Sequence, residues 1–266
     1  MLFEPFLPAD LALLKPLEPE GWGNLEPRFA FFLDHDFCSP WKIRAGDQLA
    51  AVGAAILFKG SAWLACIITH PGFRHRGLGK EMTVHLAGQV KRHAVHSIQL
   101  IATDMGFPLY RQLGFELLEE YLHFAKGADM VAPGELLGLH PLEDKHLEGV
   151  LNLDRKLSGE DRRTLLWSHR EDAFVYNWED KLRGFYFPRL GEGLIVAEDA
   201  EAGLALLQHR AAGRDHAAVP LSNTAALSWL RSHGWKELRT SRRMYLGNKP
   251  DWLPTSMYNR INGQLG

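Results

Sequence analysis

The run Arg74-His75-Arg76-Gly77-Leu78-Gly79-Lys80 concentrates positive charge and main-chain freedom in seven residues. Two arginines, a lysine and a histidine supply the charge. Two glycines let the backbone approach a ligand closely and adopt positive φ. The apolar stretch SAWLACIIT (61–69) precedes the run, and Leu78, Met82, Leu86 and Val90 follow it at helical spacing. A glycine-bearing turn between a strand and a helix presents unpaired N–H groups and the positive end of the helix dipole, which is what a pyrophosphate requires. Two familiar phosphate motifs fit worse. A P-loop needs Gly-x-x-x-x-Gly-Lys-Ser/Thr, but Glu81 follows Gly79-Lys80 and Arg74 stands where the first glycine belongs. A dinucleotide fingerprint needs a third glycine at position 82, which is Met. A solvated basic turn would use the same residue types, so these seven residues alone leave that alternative open.

The elements that must hold this turn are legible on both sides. LFEPFL at the N-terminus is strand-like, and Pro8-Ala9-Asp10 opens a helical stretch followed by an irregular Gly/Pro-containing segment. Trp41–Arg44 reads as a strand. Residues 49–68 are apolar enough to raise the question of a membrane span, but Lys59-Gly60-Ser61 interrupts them. They therefore divide into two buried strands, Gln48–Phe58 and Ala62–Thr69, forming a hairpin. A helix is expected from about Leu78 to His93, a strand over Ser97–Thr103, a short helix over Pro108–Leu113 and a strand over Phe115–Ala125. Beyond a linker at Pro133-Gly134, helices are expected over Leu142–Leu157, Asp161–His169, Ala200–Gln208 and Thr224–Ser232. Strands are expected over Ala173–Asn177, Leu182–Phe187, Gly193–Ala197, Ala217–Leu221 and Lys236–Tyr245. The proline-bearing tail from Gly247 reads as an extended, exposed arm available for a contact.

With 266 residues, a net charge of -2 and no basic stripe, the chain does not resemble a nucleic-acid binder. The N-terminus lacks the basic flank of a signal peptide. Cys38 and Cys66 give no disulfide framework and suit a reducing compartment. The expectation is a cytoplasmic protein with no membrane and no nucleic-acid partner, monomeric or homodimeric. His93 and His96 share metal-ligand spacing, but no cysteine or carboxylate cluster joins them, so no metal is expected.

An internal repeat is also visible. SIQLIATDMGFPLYRQLGF (97–115) aligns with HAAVPLSNTAALSWLRSHGW (216–235), placing Thr103, Gly106, Tyr110, Gly114 and Phe115 opposite Asn223, Ala226, Leu230, Gly234 and Trp235. Two copies of one fold follow, over residues 1–128 and 135–266.

The segment from Ile68 to Lys80 closely resembles the main motif of the GCN5-related N-acetyltransferases (GNAT), Arg/Gln-x-x-Gly-x-Gly/Ala after an apolar strand, a proline and an aromatic. Arg74, Gly77 and Gly79 fill its defining places. A second landmark, Asn-x-x-Ala-x-x-x-Tyr-x-x-x-Gly-Phe, is matched by Tyr110 and Gly114-Phe115, with Thr103 replacing Asn and Gly106 replacing Ala. The resemblance covers residues 1–126 in element order. It implies an α/β (α+β) architecture of two tandem GNAT-like domains, each a mixed, mostly antiparallel, splayed sheet flanked by helices. It further implies an acetyl-CoA-dependent N-acetyltransferase acting on a primary amine of a small molecule or peptide, with acetyl-CoA (coenzyme A) as the donor. The pyrophosphate would lie on Arg74, His75, Arg76, Gly77, Leu78, Gly79 and Lys80. The pantetheine arm would add to the strand edge near Ile67, Ile68 and Thr69, close to Thr103 and Tyr110.

Amine attack on a thioester calls for a base, an oxyanion donor and an acid for the departing thiolate. Tyr110 matches the family tyrosine that protonates or orients the sulfur. No Glu occupies the strand site where many relatives carry their base, so His70 is the nearby candidate, with a water chain as the alternative. Asp34, His35 and Asp36 fall in the variable region that forms the acceptor site in relatives. The second half resembles the degenerate C-terminal acetyltransferase-like domain that follows a GNAT domain in some bacterial proteins, notably in RMYLG (243–247) and Tyr258-Asn259-Arg260. Its loop carries Glu198 and Asp199, which would repel a pyrophosphate, and Leu230 holds the tyrosine place. A transferase using another acyl donor and a non-catalytic acyl-CoA sensor remain alternatives.

Overall fold

The computed structural model describes residues 2–127 and 138–266; the expected linker at Pro133-Gly134 lies outside them. In the first half, β1 (Leu2–Pro5) leads through two 3-10 turns to α1 (Glu26–Leu33). Then come β2 (Cys38–Ala45), β3 (Gln48–Leu57), β4 (Ser61–Thr69), α2 (Leu78–Val90), β5 (Ser97–Ala102), α3 (Phe107–Gln112) and β6 (Glu116–Ala125). The second half runs β7 (Leu139–Pro141), α4 (Asp144–Ser158), α5 (Arg163–Ser168), β8 (Phe174–Trp178), β9 (Lys181–Phe187) and β10 (Leu194–Ala197). It continues with α6 (Ala200–Gly213), β11 (His216–Pro220), α7 (Thr224–Ser232), β12 (Lys236–Gly247) and β13 (Met257–Asn259).

The apolar stretch over 49–68 is the expected hairpin, with β3 and β4 buried almost throughout. Among the described residues no helix is long and apolar enough to cross a membrane. Leu78, Met82, Leu86 and Val90 turn one face of α2 onto the sheet, each burial stabilising by about 1.5–3 kcal/mol. The irregular segment after the first 3-10 turns contains α1, which was not expected. Phe29 and Phe32, one helical turn apart, bury its inner face.

β1 to β4 are antiparallel, and β4 pairs with β5 in parallel over three residues, Ser61↔Ser97, Ala62↔Ile98 and Trp63↔Gln99. Beyond Trp63 the two strands part, and among the described residues the β4 edge from Leu64 to Thr69 has no ladder partner on that side. The strands form two sheets, and these do not divide cleanly between the halves. One has the order β1-β2-β3-β4-β5-β12-β6-β11 and the other β13-β10-β9-β8-β7, so β12 of the second half lies between two strands of the first. β12 pairs with β5 through Arg242–Gly247 and with β6 along most of its length. β6 pairs in turn with β11 through Tyr121–Ala125. The first half's sheet thus takes in β12 from the second half, and β11 joins its far edge by pairing with β6.

The largest core lies where the halves meet, and includes Phe6, Phe29, Trp63, Phe185 and Trp252 from both. A second core lies under α2, and a third under α6 and α7. The expectation of an exposed tail beyond Gly247 is overturned. Trp252, Met257, Tyr258, Ile261 and Leu265 are all buried, and Met257–Asn259 form β13 against β10. The sequence signals of prolines and polar residues there mark turns in a packed segment.

Candidate functional site

The basic turn lies at the C-terminal end of β4, as the sequence reading expects. Gly77 takes φ 80 as the residue before α2, and no side chain caps the helix start. The first N–H groups of α2 therefore face outward without intrahelical partners. His75 adopts φ 62, so two left-handed residues flank Arg76 and bend the main chain into a concave turn. Arg74, His75, Arg76, Gly77 and Lys80 are exposed, whereas Leu78 is anchored in the core. Among the described residues, Arg74, Arg76 and Lys80 have no carboxylate partner. Arg76 folds back, donating to the Gly72 carbonyl at 3.3 Å and lying 5.2 Å from the Phe73 ring centroid.

β4 continues this site inward. Thr69 and Ile67 are half-buried and Ile68 is buried. A bulge shifts the β3–β4 register around Gly53, and opposite it Cys66 takes φ 49. Thr69 lies beside the first turn of α2, its Oγ1 3.7 Å from where a Gly79 Cβ would stand.

α3 supplies the far wall. The Thr103 hydroxyl accepts from the Gly106 N–H at 3.2 Å, doing the capping work of the asparagine it replaces. Asn223 does the same in the second copy, accepting from Ala226 N–H at 3.0 Å. Phe115 N–H donates to Tyr110 O and Trp235 N–H to Leu230 O, each at 3.0 Å. The repeat read in the sequence is thus reproduced bond for bond.

Tyr110 is 8% exposed, and among the described residues its hydroxyl has no hydrogen-bond partner. Burial raises its pKa, and the nearby Cys66 thiol adds to the shift, so the hydroxyl stays protonated at any ordinary pH. Burial also pushes the Cys66 thiol up to about 11, against the opposing influence of Arg28 and Gln264 beside it. The Cys66 thiol is thus close enough to Tyr110 to bear on the charge of its hydroxyl. Arg28 from α1 and Gln264 from the C-terminal segment act on the same thiol. Sequence reasoning missed these two. For Arg28 the signal was the Glu26-Pro27 helix start with Phe29 and Phe32 in phase; for Gln264 no local signal exists.

The remaining candidates stand elsewhere. His70 caps the 3-10 turn Pro71–Phe73, its Nδ1 accepting from Gly72 N–H at 3.0 Å. The lone pair a base needs is engaged there. Asp34 and Asp36 are exposed, and His35 packs on Phe31 at 4.2 Å between centroids while bonding to the Phe31 carbonyl. Phe37 beside them contacts Phe58, at the Ser61 end of β4. That is about five residues, roughly 16 Å, from Cys66 along the strand, so the structure does not bring Asp34, His35 and Asp36 together with Tyr110. No cluster of three or more metal-ligating side chains occurs among the described residues.

The second copy inverts each feature of the first. At the start of α6, the Asp199 carboxylate accepts from Ala202 N–H at 3.1 Å and so occupies the helix terminus. Glu198 is held by Lys156 and Lys181, and Asp199 by Arg183. The edge of β10 that corresponds to the open edge of β4 is filled by β13. Asn259 spans the gap, accepting from Ala218 N–H on β11 at 2.9 Å and donating to Gly193 O at 2.8 Å. The Tyr258 ring packs on Gly203 of α6 so closely that any Cβ there would collide with it.

Comparison with known proteins accords with this geometry. A sequence model of the acetyltransferase (GNAT) family matches residues 9–115, and one of the acetyltransferase (GNAT) domain matches residues 150–259. No curated protein matches the sequence significantly. Among solved structures, a Pyrococcus horikoshii protein assigned to the acetyltransferases superposes with a TM-score of 0.83 at 19% identity, over 100% of this chain and 95% of that one. A GCN5-related N-acetyltransferase from Sphaerobacter thermophilus gives 0.66 at 17% identity, covering 96% and 98%. A tandem GNAT protein from the clavulanic acid biosynthesis pathway gives 0.61 at 14%, covering 92% and 98%. At these identities the likeness is one of fold.

Proposed function

Since the chain belongs to the GNAT superfamily as a tandem member, an acetyltransferase family, we propose that it transfers an acetyl group from acetyl-CoA to a primary amine of a small molecule or peptide, using its first half alone. The observation that carries this is the contrast between the two copies. The first has an uncapped helix start among unpaired cations and an open strand edge. In the second, a carboxylate and a strand fill both positions.

The α2 N–H groups with Arg74, Arg76 and Lys80 hold the pyrophosphate by hydrogen bonds and charge. The β4 edge near Ile67–Thr69 pairs with the amide-bearing pantetheine arm as a further strand would. Acetyl-CoA supplies the activated acyl group. Main-chain N–H groups of the parted β4 edge stabilise the developing oxyanion. Tyr110, held protonated by its burial, gives its proton to the departing sulfur. The amine must lose a proton, and with the Nδ1 lone pair of His70 engaged in its cap, water in the cleft is the acceptor we favour.

Thiol release from acetyl-CoA with a panel of amines tests the activity, with calorimetric titration of coenzyme A as the binding readout. Replacing Gly79 by Leu sets a side chain where the pyrophosphate must come close and should abolish coenzyme A binding; retained binding would remove the loop assignment. Tight acetyl-CoA binding with no amine turned over would favour the sensor alternative.

A further inference from the structure

Glu160 belongs to the second half, yet its side chain ends inside the first. Its Oε1 accepts from Ser61 Oγ at 2.7 Å, Trp63 Nε1 at 2.9 Å and Gln99 Nε2 at 3.0 Å. Its Oε2 faces the Arg243 guanidinium of β12 at 3.6 Å. Arg243 donates twice to Gln99 Oε1, at 3.0 and 2.7 Å. It lies 4.7 Å from the Trp63 ring centroid and 3.9 Å from that of Trp252. The Glu160 and Arg243 side chains are each only 1% exposed. Removing a carboxylate from water costs several kcal/mol and is tolerated only where donors and countercharge converge on it.

The three donors share one location. Ser61 and Trp63 are on β4, and Gln99 on β5 is the partner of Trp63 in the last pair before the strands part. One carboxylate oxygen thus ties β4 to β5 at the point from which the cleft opens. The tie reaches across from a half whose own cleft is filled.

We infer that Glu160 is a positioning residue for the donor cleft: it fixes where β4 and β5 separate, and so how the pantetheine arm and thioester lie along β4. The second half thereby governs the chemistry of the first without holding a ligand. This rests on the proposed binding of acetyl-CoA. The basic turn lies at the far end of β4, so the nucleotide portion of coenzyme A is insensitive to the tie.

The test uses the full chain and two titrants, acetyl-CoA and its nucleotide portion, 3′-phospho-ADP. Glu160→Ala should weaken acetyl-CoA binding by about ten- to a hundredfold, the scale of a misplaced reacting group, and leave 3′-phospho-ADP binding unchanged. Glu160→Gln keeps one acceptor oxygen and should recover most of the loss. Ser61→Ala removes one donor of three and should show a smaller loss in the same direction, which keeps the test decisive should Glu160→Ala not fold. Parallel weakening of both titrants, or no change in either, overturns the inference while leaving the proposed function standing. Wild-type protein that binds neither titrant overturns both.

Discussion

His123 offers a measurement whose size follows from its surroundings. It is on β6, the strand shared by both halves, and is fully buried. Its Nε2 lies 2.9 Å from Ser241 Oγ and its Nδ1 3.4 Å from His216. Burial, then the charges of Arg260 and Arg239, then His216, depress its pKa to about 2. The folded protein therefore keeps this ring neutral, while the unfolded chain protonates it from its ordinary value of 6.5 downward. The unfolded state binds the extra proton, so the stability is fully present above 6.5 and falls as pH drops towards the folded value. Each unit below 6.5 removes about 1.4 kcal/mol, which amounts to about 2.7 kcal/mol at pH 4.5. His123→Gln removes the titration and keeps a polar group against Ser241. Urea unfolding of both proteins at pH 7.5, 6.5, 5.5 and 4.5 isolates it, because His216 and Glu192 titrate in both and cancel in the difference. The wild type should be the more stable at pH 7.5, and its advantage should shrink by about 2–3 kcal/mol by pH 4.5. An advantage constant across the series would refute the reasoning.

Three further outcomes are expected. Tyr110→Phe should lower kcat by about a hundredfold, the scale of general-acid catalysis, while coenzyme A affinity and melting temperature stay unchanged, because the hydroxyl has no partner within the described chain; an unaltered kcat would remove its proposed role. Cys66, with its thiol raised to about 11 by burial, should react with a disulfide reagent at pH 8 far more slowly than a denatured control, and fast labelling in the native state would contradict the packing. Gly203→Val should destabilise the protein by about 3 kcal/mol, as in the worst overpacking cases, because the new Cβ would fall on the buried Tyr258 ring; chemical denaturation reads this, and a change below about 1 kcal/mol would mean that β13 is loosely held.

What was legible in the sequence was local. The basic turn, the matching positions Thr103 and Asn223 with the Gly-aromatic pair after each, and the periodicity of α2 each lie within about a dozen residues, so residue type and spacing carry them. α1 was missed because Gly21, Gly23 and Pro27 suggest a loop, and the aromatic pair Phe29 and Phe32 only shows as a buried face once there is a sheet to bury it. The pairing of β12 with β5, the filling of the β10 edge by β13 and the reach of Glu160 left no trace at all. Each joins residues far apart in the chain, and a strand's alternation does not say which neighbour it will pair with. Asp34, His35 and Asp36 show the converse. Their charges are plain in the sequence, but their distance from Tyr110 is set by the length of the β3–β4 hairpin, which local residue types do not reveal.

The insertion of β12 between β5 and β6 also sets a clock on biosynthesis. Ser97 on β5 pairs with Gly247 on β12, so the first sheet stays incomplete until that distant strand has left the ribosome. At about 5–20 residues per second, the intervening stretch takes about 7–30 seconds to make. During that interval β5 and β6 present unpaired edges, which invite association with other chains. A nascent chain stalled before β12 would therefore carry every residue of the basic turn and yet lack the strand that closes the sheet behind it.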